Sequence, residues 1–313
     1  MSIFQLNNKK LEPVKEKSFD LEKDIQRITE ENLELVLGLK FVSGTLNQEF
    51  SVRAQEQDFY IDTLGFDEAQ RAFVIIEYKK DKSFSVIDQG FAYLSAMLNH
   101  KADFILEINE RLHKNFTKKD IDWEQSRVIF ISLEFTNYQK NAINFKNLPI
   151  YLYEVRFYTN NIVEFNPIKP YSTTESITSL SKDKTIQNVS KEVKVYTLDD
   201  HYKKTSDQLR EVFEKLREQI LRLDPQIKEK PVSWYVGYQL HGYNIASVQA
   251  YKDKLMVKIT LEKPNDPKHL LKKASDSWMG WSKIPFWRFK LTDTAEIPYL
   301  MSLIEQAYKF RAK

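Results

Sequence analysis

The sequence predicts two domains of mixed α/β architecture, a larger N-terminal one and a smaller α+β one at the C-terminus. The chain has 313 residues, whereas single domains usually hold about 150. Apolar runs of strand length alternate with segments whose apolar residues recur at helical spacing. Residues 172–190 are rich in Ser, Thr and Lys and have no sustained apolar period, which is typical of a linker. The predicted boundaries are therefore residues 1–170 for the first domain, 171–200 for the linker and 201–313 for the second domain.

The N-terminal series contains two helical patterns and four strand patterns. Helical spacing occurs in residues 18–39, where Ser18 or Asp20 can cap one or two amphipathic helices, and again in residues 86–100. The compact apolar run AFVIIEY at residues 72–78 is typical of a central strand buried on both faces. The remaining strand patterns are residues 49–66, residues 128–135 and residues 150–165, the last being either one strand or a hairpin around residues 160–161.

The C-terminal series begins with the clearest amphipathic helix of the chain. Residues 205–223 carry a regular apolar stripe, Thr205 and Ser206 are candidate caps, and Pro225 ends the helix. The segments that follow are three strand-like runs, one further strand and a final helix, at residues 232–240, 246–251, 255–261, 287–291 and 297–310.

The composition excludes several classes of protein. No run of about 18 apolar residues occurs, so no membrane-spanning helix is expected. The N-terminus lacks the apolar segment of a secretory signal. The chain has no cysteine, which excludes thiolate nucleophiles and thiolate metal sites and favours a cytoplasmic location. The five histidines form no zinc-binding pair, and the sequence contains neither a nucleotide-binding phosphate loop nor a GxSxG motif.

The charge is distributed unevenly. Residues 1–200 contain 26 basic and 31 acidic side chains, whereas residues 201–313 contain 21 basic and 13 acidic ones. A basic C-terminal part indicates either a polyanionic partner or an ordinary lysine-rich surface.

One group of residues predicts chemistry. Glu77 and Lys79 lie two positions apart near the end of the predicted central strand, so their side chains point to the same face. If Asp62 lies on the adjacent strand of a hairpin, its carboxylate meets that of Glu77, and two carboxylates suit Mg²⁺ or Mn²⁺. The structural alternative is a same-face ion pair, because the triplet Glu-x-Lys by itself is common and recurs at Glu192 and Lys194.

The same region resembles the PD-(D/E)xK nuclease superfamily, in particular its NucS-type and RecB-like branch. The resemblance is carried by DTLGFDEAQRAFVIIEYKK at residues 62–80 and VIDQGFAYL at residues 86–94, and it covers residues 18–165. In the family pattern, a strand ends in Asp before a Leu-Gly turn, a hairpin leads to Glu-x-Lys, and a Gln opens the next helix. Ile61 replaces the proline of the superfamily name, at a position where many members depart. The resemblance implies a restriction-endonuclease-like domain with a mixed sheet flanked by helices.

The resemblance also implies individual roles. Asp62 and Glu77 would hold the metal ion, Lys79 would act on the attacking water, and Gln89 would hold the lysine or a phosphate nearby. Gln89 has a solvent-facing helix position as its alternative, and Tyr93 is either a site residue or part of the core. A glutamate of the first helix often joins the metal site in this family, and a solvated helix face is the alternative for each candidate. These candidates are Glu22, which is preferred, Glu30 and Glu31.

Residues 201–313 resemble an uncharacterised domain that accompanies nuclease-like domains in bacterial proteins. The resemblance is carried by WYVGYQL at residues 234–240, SVQAYKDKLMVKI at residues 247–259 and a tryptophan cluster. The aromatic and basic residues around this cluster can stack on bases and contact phosphates, or they can simply pack a small core. The cluster consists of Trp278, Trp281 and Trp287, and the interleaved aromatic and basic residues are Trp281, Lys283, Phe286, Trp287, Arg288 and Lys290.

The function predicted by these features is hydrolysis of DNA phosphodiester bonds by a nuclease that requires Mg²⁺ or Mn²⁺. DNA is the predicted partner, a membrane is not, and a homodimer is one option for the oligomeric state. The competing hypotheses are a catalytically idle nuclease-fold module that binds nucleic acid or a protein, and a structural protein with a surface ion pair. The choice between DNA and RNA, and between endonuclease and exonuclease, is left open by the sequence.

Overall fold

A computed structural model describes residues 3–17, 22–54, 57–79, 84–171, 175–274 and 284–312. The chain divides into two compact units, Met1–Val195 and Tyr196–Lys313. In the part of the chain that the structure describes, no helix is both long and apolar enough to cross a membrane.

The first unit contains seven α-helices and eleven strands among its described residues. The helices are α1 (Glu22–Glu31), α2 (Leu33–Leu37), α3 (Val86–Asn99), α4 (Lys101–Leu112), α5 (Asn137–Ala142), α6 (Ile177–Leu180) and α7 (Lys184–Glu192). The strands are β1 (Ile3–Asn7), β2 (Lys10–Val14), β3 (Glu16–Lys17), β4 (Lys40–Ser43), β5 (Phe50–Ala54), β6 (Gln57–Ile61), β7 (Thr63–Asp67), β8 (Ala72–Lys79), β9 (Arg127–Ser132), β10 (Ile150–Tyr158) and β11 (Ile162–Ile168).

The main sheet of this unit has the strand order β11-β10-β9-β8-β7-β4, and β3 also pairs with β10. Strands β8, β9 and β10 are parallel, whereas β7 pairs antiparallel with β8 and with β4. The sheet is therefore mixed, and helices pack on both of its faces. Two hairpins, β1–β2 and β5–β6, form separate two-stranded sheets. The expectation of an α/β domain with a mixed sheet flanked by helices is confirmed at this level.

Strand β8 is central, and its side chains enter two separate cores. Ile76 and Tyr78 pack on the face covered by α1 and α2. Phe73 and Ile75 pack on the opposite face, which α3 and α4 cover. Because successive side chains of a strand alternate between faces, Glu77 points to the α3 side. The near-complete burial of β8 confirms the prediction of a strand buried on both faces.

The predicted linker requires correction. Residues 172–174 lie outside the described residues, but α6 and α7 follow them, and the first unit extends to Val195. Asp183 caps α7 by accepting hydrogen bonds from two backbone amides, and Ile186 and Val189 of this helix are buried in the core beside α3. The segment looked like a linker because its few apolar residues stand among many polar ones. Their spacing is nevertheless sufficient for one buried helix face.

The second unit is an α+β domain, as expected. Its described α-helices and strands are α8 (Leu198–Tyr202), α9 (Asp207–Leu223), β12 (Lys228–Pro231), β13 (Val236–Leu240), β14 (Tyr243–Ala250), β15 (Leu255–Thr260), β16 (Lys272–Lys273), β17 (Phe286–Leu291) and α10 (Ile297–Arg311). The sheet order is β12-β13-β14-β15-β17-β16, and all its described pairings are antiparallel. Helices α9 and α10 share one apolar core with one face of this sheet.

Candidate active site

The hairpin formed by β7 and β8 places Asp62 next to Glu77. Thr63 pairs with Ile76 across the hairpin, and Asp62, in the bend before β7, is one position further along. The backbone amide of Tyr78 donates a hydrogen bond of 3.0 Å to Oδ2 of Asp62. In return, the backbone amide of Asp62 lies 3.4 Å from Oε1 of Glu77. These reciprocal contacts hold the two acidic residues together at the end of the central strand.

Glu77 is almost completely buried, with 1% of its surface exposed. Burial raises its pKa to about 8, and the negative charge of Asp62 contributes to the same shift. Lys79 and a hydrogen bond from the Tyr93 hydroxyl act in the opposite direction without cancelling it. The groups around Glu77 therefore do not fully compensate the negative charge of its carboxylate, and a cation beside it would stabilise the charged form.

Lys79 lies on the same face of β8 as Glu77. Its Nζ atom is 3.4 Å from Oε2 of Glu77 and 5.7 Å from the centre of the Phe84 ring. The backbone carbonyl of Phe84 accepts a hydrogen bond of 3.1 Å from the side chain of Gln139, and this bond connects residue 84 to α5. The lysine side chain is 23% exposed, so its ammonium group can reach a ligand in solvent.

Helix α3 brings two further residues to this face of the sheet. Its first turn is capped by Ser85, whose hydroxyl accepts from the amide of Asp88 at 3.2 Å. Tyr93 contacts Glu77 directly, and burial together with the charge of Glu77 raises the pKa of this tyrosine. Gln89 is one helical turn earlier, on the same side of α3. Its Oε1 atom is buried and has no hydrogen-bond partner among the described residues.

The three glutamates of the first helix have different surroundings. The side chain of Glu22 lies outside the described residues. Glu31 is exposed and pairs with Arg27 at 3.0 Å. Glu30 is buried, but its carboxylate accepts hydrogen bonds from the side chain of Gln26, from Thr63 and from the loop after β4. Since Thr63 pairs with Ile76, Glu30 is on the α1 side of the sheet, opposite to Glu77.

Gln26 is a residue that sequence reasoning missed. Its Nε2 atom donates to Glu30 at 3.1 Å and to the backbone carbonyl of Asp62 at 2.8 Å. Gln26 and Glu30 therefore hold the Asp62 bend from the α1 side. The signal in the sequence was a pair of polar residues four positions apart on the helix face that also carries Ile25, where apolar residues would be expected.

No group of three or more His, Asp or Glu side chains within the described ranges could hold a metal ion. The two carboxylates of Asp62 and Glu77 nevertheless fit Mg²⁺, because this ion commonly takes one or two carboxylates and keeps several waters. The oxygen donor set and the raised pKa of Glu77 are both consistent with a hard divalent cation at this position.

The fold and this site define a class of two-unit α/β protein, with a carboxylate–lysine cluster in the first unit and a small α+β domain as the second. Residues 198–311 of the second unit match the family described as "Domain of unknown function (DUF5655)". The chain is 39% identical over 312 residues to an "Uncharacterized protein" from Haemophilus influenzae, covering 99% of this chain and 100% of that relative. The chain belongs to the family of that protein. No solved structure matches it significantly.

Proposed function

We propose that the protein is a divalent-metal-dependent nuclease that hydrolyses DNA phosphodiester bonds at Asp62, Glu77 and Lys79. The observation that carries this proposal is a buried glutamate in direct contact with both a second acidic residue and a lysine, at the end of a central strand. A structural ion pair needs only Glu77 and Lys79, and adding Asp62 to it costs electrostatic energy. The restriction-endonuclease-like assignment of the first unit is part of the same proposal.

Asp62 and Glu77 would hold Mg²⁺ or Mn²⁺, which when bound lowers the pKa of a water and offsets the charge that develops on a phosphate oxygen. Tyr93 donates to Glu77 and fixes the orientation of its carboxylate. Lys79, held between Glu77 and the Phe84 ring, orients the attacking water or contacts the phosphate. Gln89 supplies a further amide group on the same side of α3, with its oxygen available to a bound ligand.

The proposal is tested by incubating the purified full chain with single-stranded, branched and duplex DNA in Mg²⁺, Mn²⁺ or EDTA. Cleavage is expected with either metal and not with EDTA. Asp62→Asn should remove cleavage. The matched control is Glu192→Gln in the second Glu-x-Lys triplet, where Glu192 and Lys194 form ion pairs with Lys101 and Glu124 on the surface of the unit. This control should cleave as the wild type does.

Metal binding is measured separately, by calorimetry with Mn²⁺ and by the shift in melting temperature, since a ligand that binds only the folded state stabilises it. Binding without cleavage of DNA or RNA would contradict the nuclease and favour the idle module. Cleavage of RNA alone would overturn the assignment to DNA, and unchanged cleavage by Asp62→Asn would locate the activity elsewhere.

A further inference from the structure

One face of the sheet in the second unit carries only basic charges on its strands. The only acidic residue of the described strands β12 to β17 is Glu229, which pairs with Arg217 of α9 on the core side at 2.7 Å. On the opposite face, Lys258 of β15 pairs in register with Arg288 of β17, and Arg288 pairs with Lys272 of β16. Three cationic side chains thus form a row across three neighbouring strands.

A fourth cation extends this row along β17. Lys290 follows Arg288 by two positions and therefore points to the same face, while Phe289 between them is buried in the core. Arg288, Lys290 and Lys272 are exposed, and within the described ranges none of them forms an ion pair. Burial lowers the pKa of Lys258, and the neighbouring charge of Arg288 lowers it further. Arg288, Lys290 and Lys272 are thus neighbouring like charges with no acidic partner among the described residues, and a polyanion would stabilise them.

An aromatic ring belongs to the same face. Phe286 precedes Arg288 by two positions and pairs with Thr260 of β15, so it points away from the core together with Arg288 and Lys290. Its neighbour Trp287 points to the core, where its indole nitrogen donates to the carbonyl of Leu261 at 2.8 Å. Of the aromatic residues that the sequence offered for stacking, Phe286 is half-buried and points away from the core, whereas Trp287 packs against the core. Trp278 and Trp281 lie outside the described residues, as does Lys283.

We propose that this basic sheet face, formed by Lys258, Lys272, Phe286, Arg288 and Lys290, binds single-stranded nucleic acid. Adjacent strands are about 4.8 Å apart and alternate residues of one strand about 6.8 Å apart, so the cations form a short two-dimensional array for a phosphate backbone. An aromatic ring beside such an array stacks on an unpaired base, which a duplex does not offer. This binding site is on the second unit and does not depend on the chemistry proposed for the first.

The test uses the full chain in EDTA, so that cleavage cannot affect the result. Fluorescence anisotropy follows a labelled oligodeoxythymidylate of about 20 nucleotides, at about 50 mM and about 200 mM salt. The variant Arg288→Gln/Lys290→Gln is compared with Lys215→Gln/Lys309→Gln, which removes the same charge from exposed positions of α9 and α10. These helices pack on the other face of the sheet.

The first pair should weaken binding about tenfold or more, and the slope of log affinity against log salt should fall by about 1.4, since each phosphate contact of a single strand contributes about 0.7. The control pair should change affinity by less than about twofold. Phe286→Leu should weaken binding about fivefold without changing the salt slope, because the loss is one of stacking rather than of charge.

Equal weakening by both double variants would overturn the proposal, as would the absence of wild-type binding at low salt. Tighter binding of a duplex of matched length would overturn the assignment to single strands. Tighter binding of anionic lipid vesicles than of the oligonucleotide would assign the face to a membrane instead. Melting curves check that each variant folds, and Arg288→Gln alone serves if a double variant does not.

Discussion

Two glutamates are buried on opposite sides of one hairpin, and they are accommodated differently. Glu30, 3% exposed, accepts five hydrogen bonds, all from neutral groups. Glu77, 1% exposed, has a tyrosine hydroxyl, a long contact to a backbone amide, a lysine and a second carboxylate around it. Hydrogen bonds from neutral donors stabilise the charged form of a buried carboxylate. A neighbouring carboxylate instead raises the free-energy cost of that charged form.

This difference separates a structural carboxylate from one suited to binding a cation. Glu30 fastens α1 to the loop after β4 and to Thr63, and it has little hydrogen-bonding capacity left for a ligand. Glu77 makes fewer contacts and carries a raised pKa, so an arriving cation gains more there. The difference implies opposite responses to mutation at the two positions.

Glu77→Gln should give the largest effect, a loss of metal-dependent cleavage of about a thousandfold, equivalent to about 4 kcal/mol. The free energy of unfolding in EDTA should stay the same or rise, because a neutral amide avoids the cost of burying a carboxylate, which is the main cause of the raised pKa of Glu77, and also avoids repulsion by Asp62. Cleavage rates and urea unfolding of the same preparation measure both quantities. If Glu77→Gln lost as much stability as a Glu30 variant, Glu77 would also have a structural role, and the two glutamates would not differ as described.

Glu30→Ala should lower the free energy of unfolding by about 3 kcal/mol, because it leaves several buried donors without an acceptor. Urea titration of this variant is compared with Glu31→Ala, which removes an exposed ion pair and should cost less than about 0.5 kcal/mol. If Glu30→Ala were as stable as Glu31→Ala, the hydrogen bonds of Glu30 would not stabilise the fold, and Glu30 would not be a structural carboxylate.

Lys79→Ala should reduce turnover about a hundredfold, or about 2.7 kcal/mol, while Mn²⁺ binding by calorimetry changes little. The reason is that, in the proposed function, Lys79 acts on water and phosphate rather than on the ion. Lys194→Ala is the matched control from the second Glu-x-Lys triplet and should keep full turnover. A parallel loss of Mn²⁺ binding in Lys79→Ala would assign the lysine to organising the carboxylates.

His201 extends the comparison to a buried basic group, in the second unit. Burial lowers its pKa to about 4, and the charge of Lys204 adds to this shift. An unfolded histidine titrates near 6.5, so the native state loses stability as the pH falls from about 6.5 to about 4, by about 2 kcal/mol at pH 5. His201→Phe should flatten this dependence in urea unfolding, whereas His269→Asn, at an exposed position, should keep it.

Most of the fold, and the positions of Glu77 and Lys79 in the candidate site, could be predicted because they depend on local sequence patterns. The apolar run of β8 and the two-residue spacing of Glu77 and Lys79 determine burial and face without further information. The choice among the first-helix glutamates could not be made in this way. Each residue turns a helix by about 100°, and only packing against the sheet determines which side chain is buried.

Longer-range features escaped prediction for a related reason. Ile186 and Val189 are too few to predict a buried helix from the local sequence. Their burial depends on the contact with α3, which is a feature of the tertiary structure. The basic sheet face in turn depends on the register between β15, β16 and β17, which brings together Lys258, Lys272 and Arg288 from distant parts of the sequence. Register is a property of strand pairs and cannot be read from one strand.

The packing of α7 against α3 has a consequence for synthesis of the chain. Helix α3 carries Gln89 and Tyr93, and the last helix of the unit covers it. On a ribosome, domains fold as units while the chain grows at about 5–20 residues per second. The core behind the site therefore remains open until residue 193 has emerged, long after Asp62 and Glu77. A nascent chain would thus expose Asp62 and Glu77 early, but the surroundings of the candidate site would be complete only once the whole first unit had been made.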